Sequence, residues 1–296
     1  MPNMKLKALA AAAVLATPVF ANATPFTLLA GGNINLEQGT NVTGDVGAKG
    51  NIHSKYESQV SGNVSAGGNV TLEQKSQIKG NATAGKQVDV KYQANVTGTV
   101  AGKTNSPSLN TLPTATDFKT GGKAYGLKSG ATAEMASGSY GKVNLEYDST
   151  LKLSAGTYYF DSLTVGAESA FIFDLSGGAI NLFVKNNVEI GSKFDFEMLN
   201  GTANDIYTET KGNWTQGAWS EWFGTLFASG AGSNMHFNQG SVLGGTFIAR
   251  KNIQLDLNSI VTAMPEETSK VPNPSSLPLL AIGLASLALF RRRNVD

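Results

Sequence analysis

Four blocks of identical length run without insertion from Gly31 to Gly102, starting at Gly31, Lys49, Gly67 and Gly85, a period of 18 residues. A strict short period means that one supersecondary unit stacks on copies of itself. Within each block apolar residues alternate with polar ones, which is strand spacing. Three columns are apolar throughout: Ile34, Ile52, Val70, Val88; Val42, Val60, Ile78, Val96; and Val46, Val64, Ala82, Val100. The pattern predicts an all-β chain, a single-stranded β-solenoid (parallel β-helix) of 18-residue coils, each burying these columns on the coil below. Outward positions fit the same stacking. Glu37, Lys55, Glu73 and Lys91 alternate in sign at one position, which favours one register over a shift by a coil. Asn33, Asn51, Asn69 and then Gln87 form a candidate amide ladder. Gly44, Gly62, Gly80 and Gly98 mark a turn.

Residues 1–23 read as an export signal. Lys5 and Lys7 open it, an apolar stretch from Ala8 to Phe20 follows, and Ala21-Asn22-Ala23 supplies the small residues of a cleavage site. The mature chain then begins at Thr24, in a compartment that permits disulfides, yet the chain contains no cysteine. Five of the 23 basic residues and one of the 22 acidic ones lie in terminal segments expected to be removed. That leaves 18 against 21, with Arg250 the only arginine. A nucleic-acid partner needs a basic, arginine-bearing face, so none is expected.

Beyond the repeats at 24–104, residues 105–141 read as a linker and loop region, opened by the proline-bearing stretch Asn105 to Thr120. Strand signals resume over 142–263 at longer and less regular spacing, as expected of wider, irregular coils that continue the helix and carry most of the aromatics. All three tryptophans, Trp214, Trp219 and Trp222, fall between Ala203 and Phe223. They are candidate glycan contacts if that segment is an exposed platform. The alternative, and the preferred reading, is a loop folded over the solenoid's side that buries them there.

No catalytic, cofactor or metal constellation emerges, and the chain is read as a non-enzyme without cofactors. A nucleophile–histidine arrangement would have to use His53 or His236, and both sit at outward strand positions. Two separated histidines make no zinc cluster. The turns TGDV, SGNV, KGNA and TGTV carry one carboxylate among four, unlike a calcium roll. Asp161, Asp174, Glu189, Asp195 and Glu197 would be the carboxylates of a polysaccharide lyase or hydrolase, the rival reading. Ice binding is a third, lesser reading. The rank Thr43, Ser61, Lys79, Thr97 has the required hydroxyls but a lysine in its middle.

The C-terminal segment 264–296 contains Val271-Pro272-Asn273-Pro274, an apolar run from Leu279 to Phe290, and Arg291-Arg292-Arg293. The run is shorter than an ordinary membrane span, and the arginines would stay inside, so alone it reads as a transient transmembrane tail. This ending resembles the PEP-CTERM sorting signal of Gram-negative bacteria, with Asn273 where that family has glutamate. The resemblance implies processing by an exosortase, transient inner-membrane contact through the tail, and delivery to the cell surface or extracellular matrix. The body resembles bacterial surface domains of the choice-of-anchor A type, through Gly67–Val70, Gly224–Ala228 and Gly244–Ile253. That likeness implies adhesion within an exopolysaccharide biofilm matrix, with polysaccharide or other matrix proteins as partners.

Overall fold

The computed structural model describes residues 26–104 and 112–263. The segments 1–23 and 264–296, with Ala21, Ala23, Val271, Pro272, Asn273, Pro274 and Arg291 to Arg293, lie outside these residues. The chain is an all-β parallel solenoid, and a single 3-10 turn at Ala203–Asp205 is the one helical element among the described residues. One regular coil consists of the strands Ile34–Leu36, Asn41–Val42 and Asp45–Ala48. The next consists of Ile52–Ser54, Gln59–Val60 and Val64–Ala66. Three stacked sheets result: face A carries Asp45–Ala48, face B Ile34–Leu36 and face C Asn41–Val42. Ile34 pairs with Ile52, Ile52 with Val70 and Val70 with Val88, so register advances by the sequence period. The three apolar columns face the core and are buried except in the outermost coil, where Val88 and Val96 are half-buried and Val100 is exposed.

The order of the coils differs from the sequence expectation. The wide coils do not continue from the end of the regular stack. Instead, the first coil sits on the last one: Leu28 pairs with Phe247, Ile34 with Ile253 and Asn41 with Ile260. From Phe26 the described chain therefore runs coil by coil from mid-stack to one end near Gly102, and is next found at the opposite end. There it restarts at Tyr125–Leu127 and climbs back until Ile260–Thr262 meets Asn41–Val42. Coils thus begin well before residue 142, because the small residues of 121–141 build the narrow terminal coil rather than a loop. The crossing is sterically ample. The 20 residues between Thr104 and Tyr125 reach at most about 70 Å, whereas ten strand spacings cover about 48 Å.

Each corner is held by a repeated device. Asn33 Oδ1 accepts the amide of Asn51 at 2.7 Å, and Asn51 Oδ1 that of Asn69 at 2.8 Å. The ladder runs through the junction: Asn252 Oδ1 accepts the Asn33 amide at 2.9 Å, and Asn234, Asn213 and Asn187 continue it. A shorter ladder starts at Asp45 and passes through Asn63 and Asn81. At the corner between faces B and C one residue per coil takes a positive φ, among them Glu57, Lys75, Asn258 and Trp219. The next residue points inward. Ser58, Ser76, Ser149 and Ser241 are buried there and return their hydroxyls to the carbonyl three residues earlier at 2.6–2.7 Å. The charge alternation is realised only in part. Lys55 pairs with Glu37 at 2.7 Å, but Glu73 turns to His53 and Lys91 to Asp89.

Face A of the junction region is apolar on its outer side as well, through Tyr159, Phe183, Phe227, Ile248 and Leu29. Burial on both sides of a strand removes the usual polar alternation, and something must cover that surface. The chain between residues 112 and 120 does so, with Leu112, Ala115 and Phe118 packed on it. Arg250 Nη2 donates to the Pro113 carbonyl at 2.9 Å, and Lys211 Nζ lies 4.4 Å from the centre of the Phe118 ring. Beneath, the buried Glu209 accepts the Thr116 amide at 3.0 Å and the Tyr207 hydroxyl at 2.8 Å. Burial, then the adjacent Glu209 charge, push the Tyr207 phenol far above its ordinary value. A raised folded-state value contributes stability below the unfolded pKa near 10 and loses it as pH rises past that value. Stability is therefore expected to fall between about pH 9 and pH 11, more steeply than in Tyr207→Phe. Denaturant titrations at both ends of that range check this, and equal slopes would contradict it.

Candidate interaction faces

The tryptophans are not a platform. Trp214 and Trp222 lie in the strands Trp214–Gln216 and Glu221–Ala228 and are fully buried, their rings 4.5 Å apart and edge to face. They fill the widest coils, so neither can stack on a sugar. The segment forms core strands, not a loop laid over the side. Trp219 alone is exposed, at 57%. It occupies the corner with φ 59°, a conformation bulky residues rarely hold. Its indole lies flat over Gly240, where a Cβ would come within 2.2 Å of the ring.

The other singled-out residues are dispersed. His53 and His236 are outward on face B, bound to Glu73 at 3.0 Å and Asp256 at 2.9 Å. Glu189 is also outward on face B, whereas Asp195 and Glu197 are outward on face C. Asp161 is tied to Thr120 at 3.3 Å and Lys185 at 3.7 Å. Asp174 accepts from Ser176 and Asn200, which hold its carboxyl far below the usual range, with Lys152 adding to the effect. These carboxylates are spread over faces B and C and the turns beside them, and are not gathered at one site. Among the described residues no group of three His, Cys, Asp or Glu could hold a metal ion.

Face C carries a feature the sequence concealed. Its outward residues on the coils flanking the junction are Val242, Ile260, Thr262, Asn41, Thr43 and Ser61, all uncharged. Phe223 extends this window, lying against Gly244, where a Cβ would meet its ring at 2.5 Å. Charge returns at Lys79 on one side and at Glu221, Asp195 and Glu197 on the other. Burial, and the Asp195 charge next to it, raise the Glu221 carboxyl above its ordinary value. The rank Thr43, Ser61, Lys79, Thr97 is thus one edge of a window that continues into the second half as Thr262 and Gly244. It joins residues some 200 positions apart in the chain, which no local pattern could reveal.

A family model described as a domain of unknown function (DUF7305) matches residues 110–225. No curated protein matches the sequence. Among solved structures, the chain is similar to an ice-binding protein from an Antarctic biological consortium at 17% identity, covering 82% of this chain and 89% of that one with a TM-score of 0.43. It is also similar to a glycosylated ice-binding protein from an Arctic yeast, at 11% identity, 84% and 93% coverage and a TM-score of 0.38. A third is an ice-binding protein domain of Shewanella frigidimarina, at 14% identity, 81% and 95% coverage and a TM-score of 0.34.

Proposed function

We propose that the protein is an exported, non-catalytic structural or adhesive element of an exopolysaccharide matrix. On this reading an exosortase processes the C-terminal tail, and long flat faces rather than a cleft engage the partner. The observation that carries it is the uncharged window of face C, several coils long, with apolar and hydroxyl side chains side by side. Such a surface is cheap to dehydrate and still offers hydrogen bonds, which suits an extended uncharged partner. The signal-like N-terminal segment and the PEP-CTERM-like tail support the bacterial-surface part of this reading. Co-sedimentation of the full-length protein with insoluble polysaccharide tests the reading. Thr43→Arg in the window is expected to weaken binding about tenfold, roughly 1.4 kcal/mol, and unchanged binding would contradict it.

Ice is the second reading, favoured by Thr43, Ser61 and Thr262 on the same window, with Lys79 beside it. Lys79→Thr would extend the hydroxyl rank to Thr97. On the ice reading that change increases thermal hysteresis, whereas on the matrix reading neither form shows any. A carbohydrate-active β-helix enzyme remains the rival class, and release of reducing ends from the bound polysaccharide would establish it.

A further inference from the structure

The corner between faces B and C carries a second periodicity, twice that of the coil. Backbone bonds across successive coils put Ala218, Gln239, Leu257, Gln38, Tyr56 and Gln74 in one column: Trp219 donates to the Gln239 carbonyl, Gly240 to Leu257, Asn258 to Gln38, Gly39 to Tyr56 and Glu57 to Gln74, all within 2.9–3.3 Å. Tyr92 continues it, since the strand pair Val70–Leu72 and Val88–Val90 sets its coil on that of Gln74. From Leu257 onward every second coil thus presents a large apolar side chain, Leu257, Tyr56 and Tyr92, and Gln38 and Gln74 occupy the coils between, with Gln239 before them. Trp219, beside Ala218 in the neighbouring column, adds an indole that reaches over Gly240 on the next coil and so closes that end of the track. Trp219, Leu257 and Tyr92 are 57%, 43% and 73% exposed, and Tyr56 is half-buried.

Three observations specify what this track fits. Its apolar side chains recur at two strand spacings, about 9.6 Å, close to the length of a ring pair in an extended β-linked pyranose chain. Flat rings suit the apolar faces of sugars, and glutamine amides both donate to and accept from hydroxyls. The flanking charges are paired with one another. Lys55 meets Glu37 at 2.7 Å, Lys75 meets Glu57 at 3.3 Å, and Lys91 meets Asp89 at 2.7 Å, so the track favours a neutral chain over a polyanion. A shallow groove lies along it, lined by Leu257, Gln38, Tyr56 and Gln74 and, on its face B side, by the pairs Lys55–Glu37 and His53–Glu73. Lys75 Nζ, 5.1 Å from the Tyr56 ring centre and bonded to its hydroxyl at 2.9 Å, fixes that ring.

We infer that this corner is a binding track for one extended, neutral β-linked glycan chain lying parallel to the solenoid axis. Sugar rings stack on Trp219, Leu257, Tyr56 and Tyr92, and hydroxyls bond to the glutamines between them. The track exists only because the first coil docks on the last, since Trp219, Gln239 and Leu257 come from the second half of the chain. The inference rests on the matrix reading in naming a polysaccharide, but it uses a different surface from the face C window.

The test uses full-length protein with soluble β-1,4-linked hexasaccharides of glucose and of N-acetylglucosamine, and maltohexaose as a helical control. Trp219 is the one exposed tryptophan, so bound glycan shields it from acrylamide quenching. At least one β-linked hexasaccharide is expected to bind and to protect Trp219. The Tyr56→Ala/Tyr92→Ala double variant should lower that affinity about tenfold, the equivalent of roughly 1.4 kcal/mol. Tyr92 is exposed and Tyr56 sits on an outward corner, so circular dichroism of the variant should stay unchanged. Three results would overturn the track: no β-linked hexasaccharide binds, maltohexaose binds as tightly, or the double variant binds like the parent. Protein that sediments with polysaccharide while the hexasaccharides neither bind nor compete also overturns it, and leaves the face C reading standing.

Discussion

Trp222→Ala is expected to destabilise the protein by about 3–5 kcal/mol, the usual cost of emptying a fully buried aromatic site. The indole lies at the centre of the widest coils, edge to face with Trp214 at 4.5 Å and with Phe196 at 5.0 Å, and stacked on Phe194 at 6.1 Å. Neighbouring coils keep the core walls apart, so the cavity cannot collapse. Trp222→Phe should cost less: it retains a ring and removes an indole N–H that has no partner among the described residues. Trp219→Ala, by contrast, should change stability by about 0.5 kcal/mol or less, because its ring lies outside. Urea unfolding followed by circular dichroism distinguishes the three. A large loss from Trp219→Ala with a small one from Trp222→Ala would invert the inside and outside assigned to this segment.

Leu28→Ala should be nearly as damaging, at about 2–5 kcal/mol, although Leu28 belongs to the first coil in the chain. It is fully buried and flanked by Phe247 on one side and Val46 on the other. A first coil at the free end of a serial stack would fray and tolerate the change. Here the coil is clamped between the two halves, so the variant should still unfold in one transition at lower denaturant. A shift of the midpoint equivalent to less than about 0.5 kcal/mol would argue for a frayed end.

The repeat made the fold class legible because the inward columns Ile34, Val42 and Val46 keep their phase in every block. The asparagine ladder was visible for the same reason in the first half. In the second half Asn187, Asn213, Asn234 and Asn252 belong to the same ladder but stand 26, 21 and 18 residues apart. Loops of varying length hid it. The shared signal is local: each of these asparagines directly precedes an inward apolar residue, Val188, Trp214, Met235 or Ile253, as Asn33 precedes Ile34. The covering of face A also left a trace, in the doublets Leu28-Leu29, Leu182-Phe183, Leu226-Phe227 and Phe247-Ile248, where alternation gives way to burial on both sides. The coil order left none. Stacking energy depends on which coils touch, and the chain's sequence order does not constrain that when a long linker joins the halves. The interaction surfaces inherited this gap, since the face C window and the corner track both cross the junction.

Stack order is the claim on which the rest depends, and one distance measures it. On face B the column from Gly126 to Asp89 passes through Asn144, Thr164, Glu189, Thr215, His236, Gln254, Asn35, His53 and Thr71, ten strand spacings in all. The chain has no cysteine, so Asp89→Cys/Gly126→Cys places two spin labels without background. Pulsed electron resonance should give a separation near 48 Å, ten spacings of about 4.8 Å. A separation under about 15 Å, as neighbouring coils would give, would mean that the wide coils follow the regular ones in series and that neither surface described above exists.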